Sequence, residues 1–161
     1  MQLNESSIKD NELQMNTSKT HHNTQNNISN VLSDKEFLEQ FESLTLDEEL
    51  FDHKGHIRLA WLYLNQYDLE KASSLVAKNI KAYAENLGAT DKFHTTITIA
   101  LVRIIQNRIS YEKKISWEKF LLDNSDLIDN ALSVLAQHYT SELLFSDKAR
   151  ISYLEPDVKP L

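Results

Sequence analysis

From residue 33 onward, apolar positions in this chain recur every three or four residues, the period of a helix with one buried face. Ser33 and Glu36 have the spacing of a capping box, and Phe37, Leu38, Phe41 and Leu44 follow at helical spacing, so a first helix is predicted from Ser33. Thr45 and Glu48 repeat the capping signature. They predict a second helix from Leu46, with Leu46, Leu50 and Phe51 on its buried face. The segment 51–64, FDHKGHIRLAWLYL, is the most apolar helix-like stretch near the middle of the chain, and the helix is expected to run to about Gln66. Gly55 weakens it by roughly 1 kcal/mol, so a kink or restart is expected over 52–55. Asp68 has the character of an N-cap. Leu69, Ala72, Leu75, Val76, Ile80, Tyr83, Ala84 and Leu87 then mark the buried side of another helix, and Gly88 sits where helices end.

Residues 92–108, KFHTTITIALVRIIQNR, are rich in β-branched side chains, which makes a strand conceivable. The apolar run is too long for a strand in a chain with so few turn residues, and a helix is predicted. Ser116 is placed to cap a helix holding Trp117, Phe120 and Leu121. After a turn over 123–125, Leu127, Ile128, Ala131, Leu132, Leu135 and Tyr139 predict one further helix. Ser146 is placed to cap a short helical turn, and Pro156 and Pro160 predict an extended tail. Residues 1–32 carry no aromatic side chain and many Asn, Ser, Thr and Gln, the composition of a disordered leader. The expected fold is therefore all-α, a bundle of about five to seven helices over 33–161 behind a polar leader.

Composition narrows the chemistry. With only Gly55 and Gly88, a P-loop and a dinucleotide fingerprint are both excluded. Without cysteine, disulfides, thiol nucleophiles and thiolate metal sites are excluded too. A formal charge of -7 argues against a grip on nucleic acid, which wants a basic surface. No apolar run reaches the length of a membrane span, and the N-terminus lacks the pattern of a signal peptide. A cytoplasmic protein is the expectation.

The candidate chemistry lies in histidines. His53 and His56 share one helix face with Ala60 and Tyr63, and His94 opens the next β-branched helix. Converging, these imidazoles would make the three-ligand pattern of catalytic zinc, and two of them with a carboxylate would suit Fe(II). Glu48, Asp52, Asp91 and Glu155 are the candidate carboxylates, and Thr98 could orient a ligand. The plainer alternative is that each ring is a hydrogen-bonded core or boundary residue, because an i, i+3 pair alone is not specific. His138, at a helix end, fits the boundary role. His56 or His94 acting as a metal-free general base is a further alternative. Arg150 could clamp an anionic substrate or form a structural ion pair. Arg103, Arg108, Lys113 and Lys114 read as a solvated face, and Trp61, Tyr63, Trp117, Tyr139 and Tyr153 mostly as core.

Three blocks carry a resemblance. They are F-x-H-x-x-H-I-R-L-A-x-x-Y-L over 51–64, F-H-x-T-I-T over 93–98, and L-F-S-x-x-A-R-x-x-Y-x-E-P-D over 144–157. Together the chain resembles a family of small uncharacterised bacterial helical proteins. The resemblance implies one shared site made of His53, His56, His94, Arg150 and Glu155. The resemblance names no reaction; the residues themselves suggest a metal-dependent enzyme acting on a small molecule, in which the histidines would hold a divalent metal such as iron or zinc, Glu155 or Glu48 would complete the shell or act as base, and Arg150 would position an anionic group of the substrate. That family's middle block has Glu after the histidine. Here Thr95 stands in its place, which implies altered acid–base chemistry if that Glu supplies it. The competing expectation is a metal-free helical binding or interaction module with structural histidines.

Overall fold

Most helices of this chain begin on a side-chain oxygen that accepts a backbone N–H which the helix itself leaves unpaired. In the computed structural model, which describes residues 32–109 and 114–161, Ser33 and Glu36 form the expected reciprocal capping box at the head of α1, Asp34–Glu42. Asp52 accepts from the Gly55 N–H at the head of α2, His53–Leu64, and Asp68 from the Lys71 N–H at the head of α3, Leu69–Asn86. Helix α4, Thr95–Arg108, is capped by His94. Ser116 caps α5, Trp117–Asp123; α6, Ser125–Asp129, and α7, Ala131–Leu135, follow. Thr140 caps α8, Ser141–Leu144, and Ser146 caps α9, Asp147–Ile151. The described residues hold helices and turns and no strand, so the β-branched segment before Arg108 is helical as expected. The polar leader expected over 1–32 lies outside the described residues except for Leu32.

The centre is a three-helix packing unit, α2 against α3, α3 against α4, and α4 against α2. Helix α2 is apolar nearly all round: Ile57, Leu59, Ala60, Leu62, Tyr63 and Leu64 are each buried. Such a helix has to be covered on several sides. Helices α6 and α3 and the α1 side chains Phe37 and Phe41 belong to the same cluster. Helix α9 lies against α4, and the chain after it runs extended across that helix. Buried Thr96 fixes the crossing: its hydroxyl donates to the Ser152 carbonyl at 2.8 Å and accepts from the Leu154 N–H at 3.1 Å. Tyr139 donates to the Leu154 carbonyl at 3.0 Å, and the Asp157 carboxylate accepts from the Thr140 N–H and hydroxyl.

Several boundaries differ from the sequence reading. The helix predicted from Leu46 is a single 3-10 turn, Glu48–Leu50, capped by Asp47, and Thr45 bonds back to the Gln40 carbonyl instead. Leu50 is 43% exposed, because so short a turn presents no buried stripe. Phe51 is buried in contact with Phe41 and Tyr83. Of the kink or restart expected over 52–55, the structure has the restart: the 3-10 turn ends at Leu50 and α2 begins anew at His53, where the glycine answers a close approach. A Cβ there would stand 2.8 Å from the Leu50 carbonyl oxygen. Helix α2 ends at Leu64, before Gln66. The helix predicted after Ser125 is broken at Asn130 (φ -152°, ψ 49°) into α6 and α7, and Leu132 is 58% exposed. Arg103 and Arg108 are half-buried rather than solvated: Arg108 makes two bonds to Asp126, at 2.6 and 2.9 Å.

A histidine-rimmed cavity between three helices

Helix α2 places His53 and His56 in its first turn because Asp52 caps it there. The His53 ring donates through Nε2 to the Leu127 carbonyl on α6 at 2.7 Å. A carbonyl oxygen can only accept, so Nε2 carries the proton and Nδ1 of the neutral ring keeps its lone pair. His56 donates through Nδ1 to the Asp52 carbonyl at 2.7 Å, which leaves the lone pair on Nε2. Its ring stacks on Phe51 with centroids 4.1 Å apart. Burial pushes the His56 pKa below its ordinary value, the Asp52 carbonyl pulls it up, and the neighbouring His53 pushes it down. The net result favours neutral imidazole at physiological pH.

His94 is held differently. Its Nδ1 accepts from the Ile97 N–H at 3.3 Å, so the imidazole is the N-cap of α4. Its Nε2 donates to the Leu144 carbonyl at 2.9 Å. One tautomer satisfies both bonds, and both ring nitrogens are then used. Burial lowers its pKa first, the bond to the Leu144 carbonyl opposes this, and nearby Arg150 lowers it further.

All of these rings, His53, His56 and His94, line one cavity of about 320 Å³ between α2, α3 and α4. Its walls are apolar, built from Ile57 and Ala60 on α2, Val76 and Ile80 on α3, and Leu101 and Ile105 on α4. The polar residues of the lining are the histidines, Thr98 and Lys92, and they come from the first turns of α2 and α4 and from the turn before α4. An apolar pocket with a few convergent polar groups is the usual form of a small-molecule site, and this volume is near the lower end for such sites. Lys92 escaped the sequence reading. It lies in a 3-10 turn, Thr90–Lys92, whose position only the packing reveals. The apolar wall was readable as core, but that it surrounds a void was not.

The other sequence candidates stand around this cavity rather than in it. Arg150 on α9 donates to the Asp91 carbonyl at 2.5 Å and reaches the Phe93 carbonyl at 3.5 Å, so it braces the segment that delivers His94. Glu155 pairs with Arg103 at 3.5 Å and accepts from the Tyr153 hydroxyl at 3.1 Å, while Arg103 covers the Tyr153 ring. Glu48, Asp52, Asp91, Arg150 and Glu155 are all absent from the described residues that line the cavity. Thr95 is the first residue of α4 and half-buried. His138 is a boundary residue bonded to the carbonyls of Lys159 and Pro160, as expected. The three sequence blocks do meet. The third contributes the Leu144 carbonyl to His94 and the Arg150 guanidinium to the chain before it.

The donor set bears on a metal. His53 Nδ1 and His56 Nε2 each retain a lone pair, but His94 could ligate only by giving up its cap or its bond to Leu144. Among the described residues, no group of three or more His, Asp or Glu side chains is disposed to hold a metal ion. None of the described helices is long and apolar enough to cross a membrane. In comparisons with known proteins, no family model, curated protein or solved structure matches the chain.

Proposed function

We propose that this protein binds a small molecule in the α2–α3–α4 cavity without a metal, with His56 as its acid–base group. One observation carries this: an apolar void of about 320 Å³ whose polar end is made of imidazoles fixed in defined tautomers. His56 has the attributes of a general base, a neutral ring oriented by the Asp52 carbonyl with its Nε2 lone pair unused. His94 and Arg150 act as positioning groups that fix the wall of the site. The resemblance to the bacterial family supports the same grouping, since its blocks converge here, while Glu155 supports α4 from outside. The partner is a small molecule rather than nucleic acid or membrane, and a cytoplasmic setting accords with a chain lacking cysteine.

The test is a fluorine NMR titration with fluorobenzene, a neutral apolar probe small enough for the cavity, against the wild type and Leu101→Trp. The indole should fill the cavity from α4. Saturable line broadening that Leu101→Trp abolishes, with helix content retained, supports the site. Equal broadening in both proteins, or none in the wild type, contradicts it.

A second reading rests on the free lone pairs of His53 and His56. These two rings would hold a divalent iron or zinc ion, with the small molecule or water completing its shell and the metal acting as a Lewis acid. Elemental analysis of untagged protein beside His56→Ala tests it. Stoichiometric metal that disappears in the variant supports it, and metal that is absent or unchanged contradicts it.

A further inference from the structure

The cavity has a charge character opposite to that of the chain. The whole sequence carries a formal charge of -7, yet the described residues lining the cavity include Lys92 and the imidazoles and no carboxylate. The acids beside these elements stay outside the lining. Asp52 caps α2 through the Gly55 N–H, although its charge is felt at His56, and Asp91 is exposed, with its carbonyl held by Arg150. Lys92, His94 and Thr98 of the lining also lie at the N-terminal end of α4, a 14-residue helix whose dipole favours negative charge there. Arg150 is close enough to depress the ionisation of His94, so its positive field reaches the same end. Away from that end the lining is aliphatic, with Val76, Ile80, Leu101 and Ile105 and no polar partner for a second head group.

From the asymmetry between one cationic, imidazole-lined end and an aliphatic remainder, we propose that the occupant is a small amphiphilic carboxylate. Its anionic head lies by Lys92 and its apolar body lies between α3 and α4. This deepens the reading of the cavity as a small-molecule site and rests on it. Size sets the class further. At about 30 Å³ per water-sized group, a cavity of about 320 Å³ accommodates roughly ten non-hydrogen atoms. A medium-chain or monocyclic aromatic carboxylate fits; a long-chain fatty acid or a nucleotide does not. Lys92 is exposed and supplies a point charge at the mouth, so it selects the head without contributing to the core.

Calorimetric titration of the full chain with octanoate, octanol and octylamine separates head from body. The expected order is octanoate, then octanol weaker by roughly tenfold, then octylamine. Lys92→Met should reduce octanoate affinity to near that of octanol and leave octanol unchanged. Leu101→Trp should remove binding of both. Thr98→Phe replaces that variant if it does not fold, since it fills the same cavity from a half-buried site. Equal affinity for octanoate and octanol, or an unchanged preference in Lys92→Met, overturns the carboxylate class and leaves the cavity as a site. Octanoate binding that survives Leu101→Trp and Thr98→Phe places it elsewhere and overturns the proposal. Failure of all three probes to bind while fluorobenzene still binds overturns this ligand class alone. Failure of all four overturns the small-molecule reading as well.

Discussion

Replacing His94 tests the local physics of the site most sharply, because one ring makes two bonds that can be separated. Its Nδ1 caps α4 through the Ile97 N–H, and its Nε2–H satisfies the carbonyl of buried Leu144. His94→Ala removes both. Loss of an N-cap costs about 1 kcal/mol, and a carbonyl left unpaired in a partly buried place costs about 1–3 kcal/mol, so the total is about 2–4 kcal/mol. His94→Asn keeps a capping oxygen and loses the Leu144 bond, so it should recover about 1 kcal/mol of that. Urea unfolding reads these as midpoint shifts at constant slope. The pH dependence has a definite sign. The folded state holds His94 below the ordinary value of 6.5, by burial, so the unfolded chain binds more protons in the window between the two values. His94's contribution is complete above the unfolded value and is lost as pH falls through the window, because a protonated Nδ1 cannot accept from Ile97. His56, also held low by burial, contributes with the same sign. Stability should therefore fall as pH drops below the ordinary histidine value of 6.5, and less steeply in His94→Asn. A His94→Ala midpoint within about 0.5 kcal/mol of wild type would refute the capping argument, as would an undiminished pH slope in His94→Asn.

Other consequences follow from single contacts. Gly55→Ala should destabilise by about 1–3 kcal/mol even though alanine favours helices by about 1 kcal/mol, because its Cβ would press on the Leu50 carbonyl; equilibrium unfolding decides. Thr96→Val leaves the Ser152 carbonyl and the Leu154 N–H without their partner. It should cost about 1–3 kcal/mol and speed hydrogen exchange at the Leu154 amide. Tyr63→Phe removes the hydroxyl shared by Glu42 and Asn79, and a loss of about 1 kcal/mol is expected in thermal or urea melts.

What the sequence revealed depended on how local the signal was. Caps read from spacing alone, at Ser33, Asp68, Ser116 and Ser146, are where the structure has them. Each rests on a bond to an N–H three residues on. The Thr45–Glu48 pair has the same spacing and fails, because Asp47 takes the cap and Thr45 finds the Gln40 carbonyl. The period of 127–139 read as one helix because the break at Asn130 is a conformational choice with no glycine or proline to announce it. The histidines could be picked out, and they do share a cavity. Their bonding could not be, since Leu127 and Leu144 are 74 and 50 residues away from the rings they satisfy. Nor could Thr96 be recognised as a tail anchor, because its partners lie beyond residue 150.

The three imidazoles face one cavity as separately hydrogen-bonded rings rather than as a joined ligand set. Long-range nitrogen–proton NMR of the histidine rings at neutral pH, before and after one equivalent of zinc, measures this directly. The expected spectrum has Nε2–H on His53 and His94, Nδ1–H on His56, and a His94 ring left unchanged by zinc. Deprotonation of His94 Nε2, with all three rings shifting together as zinc is added, would contradict it.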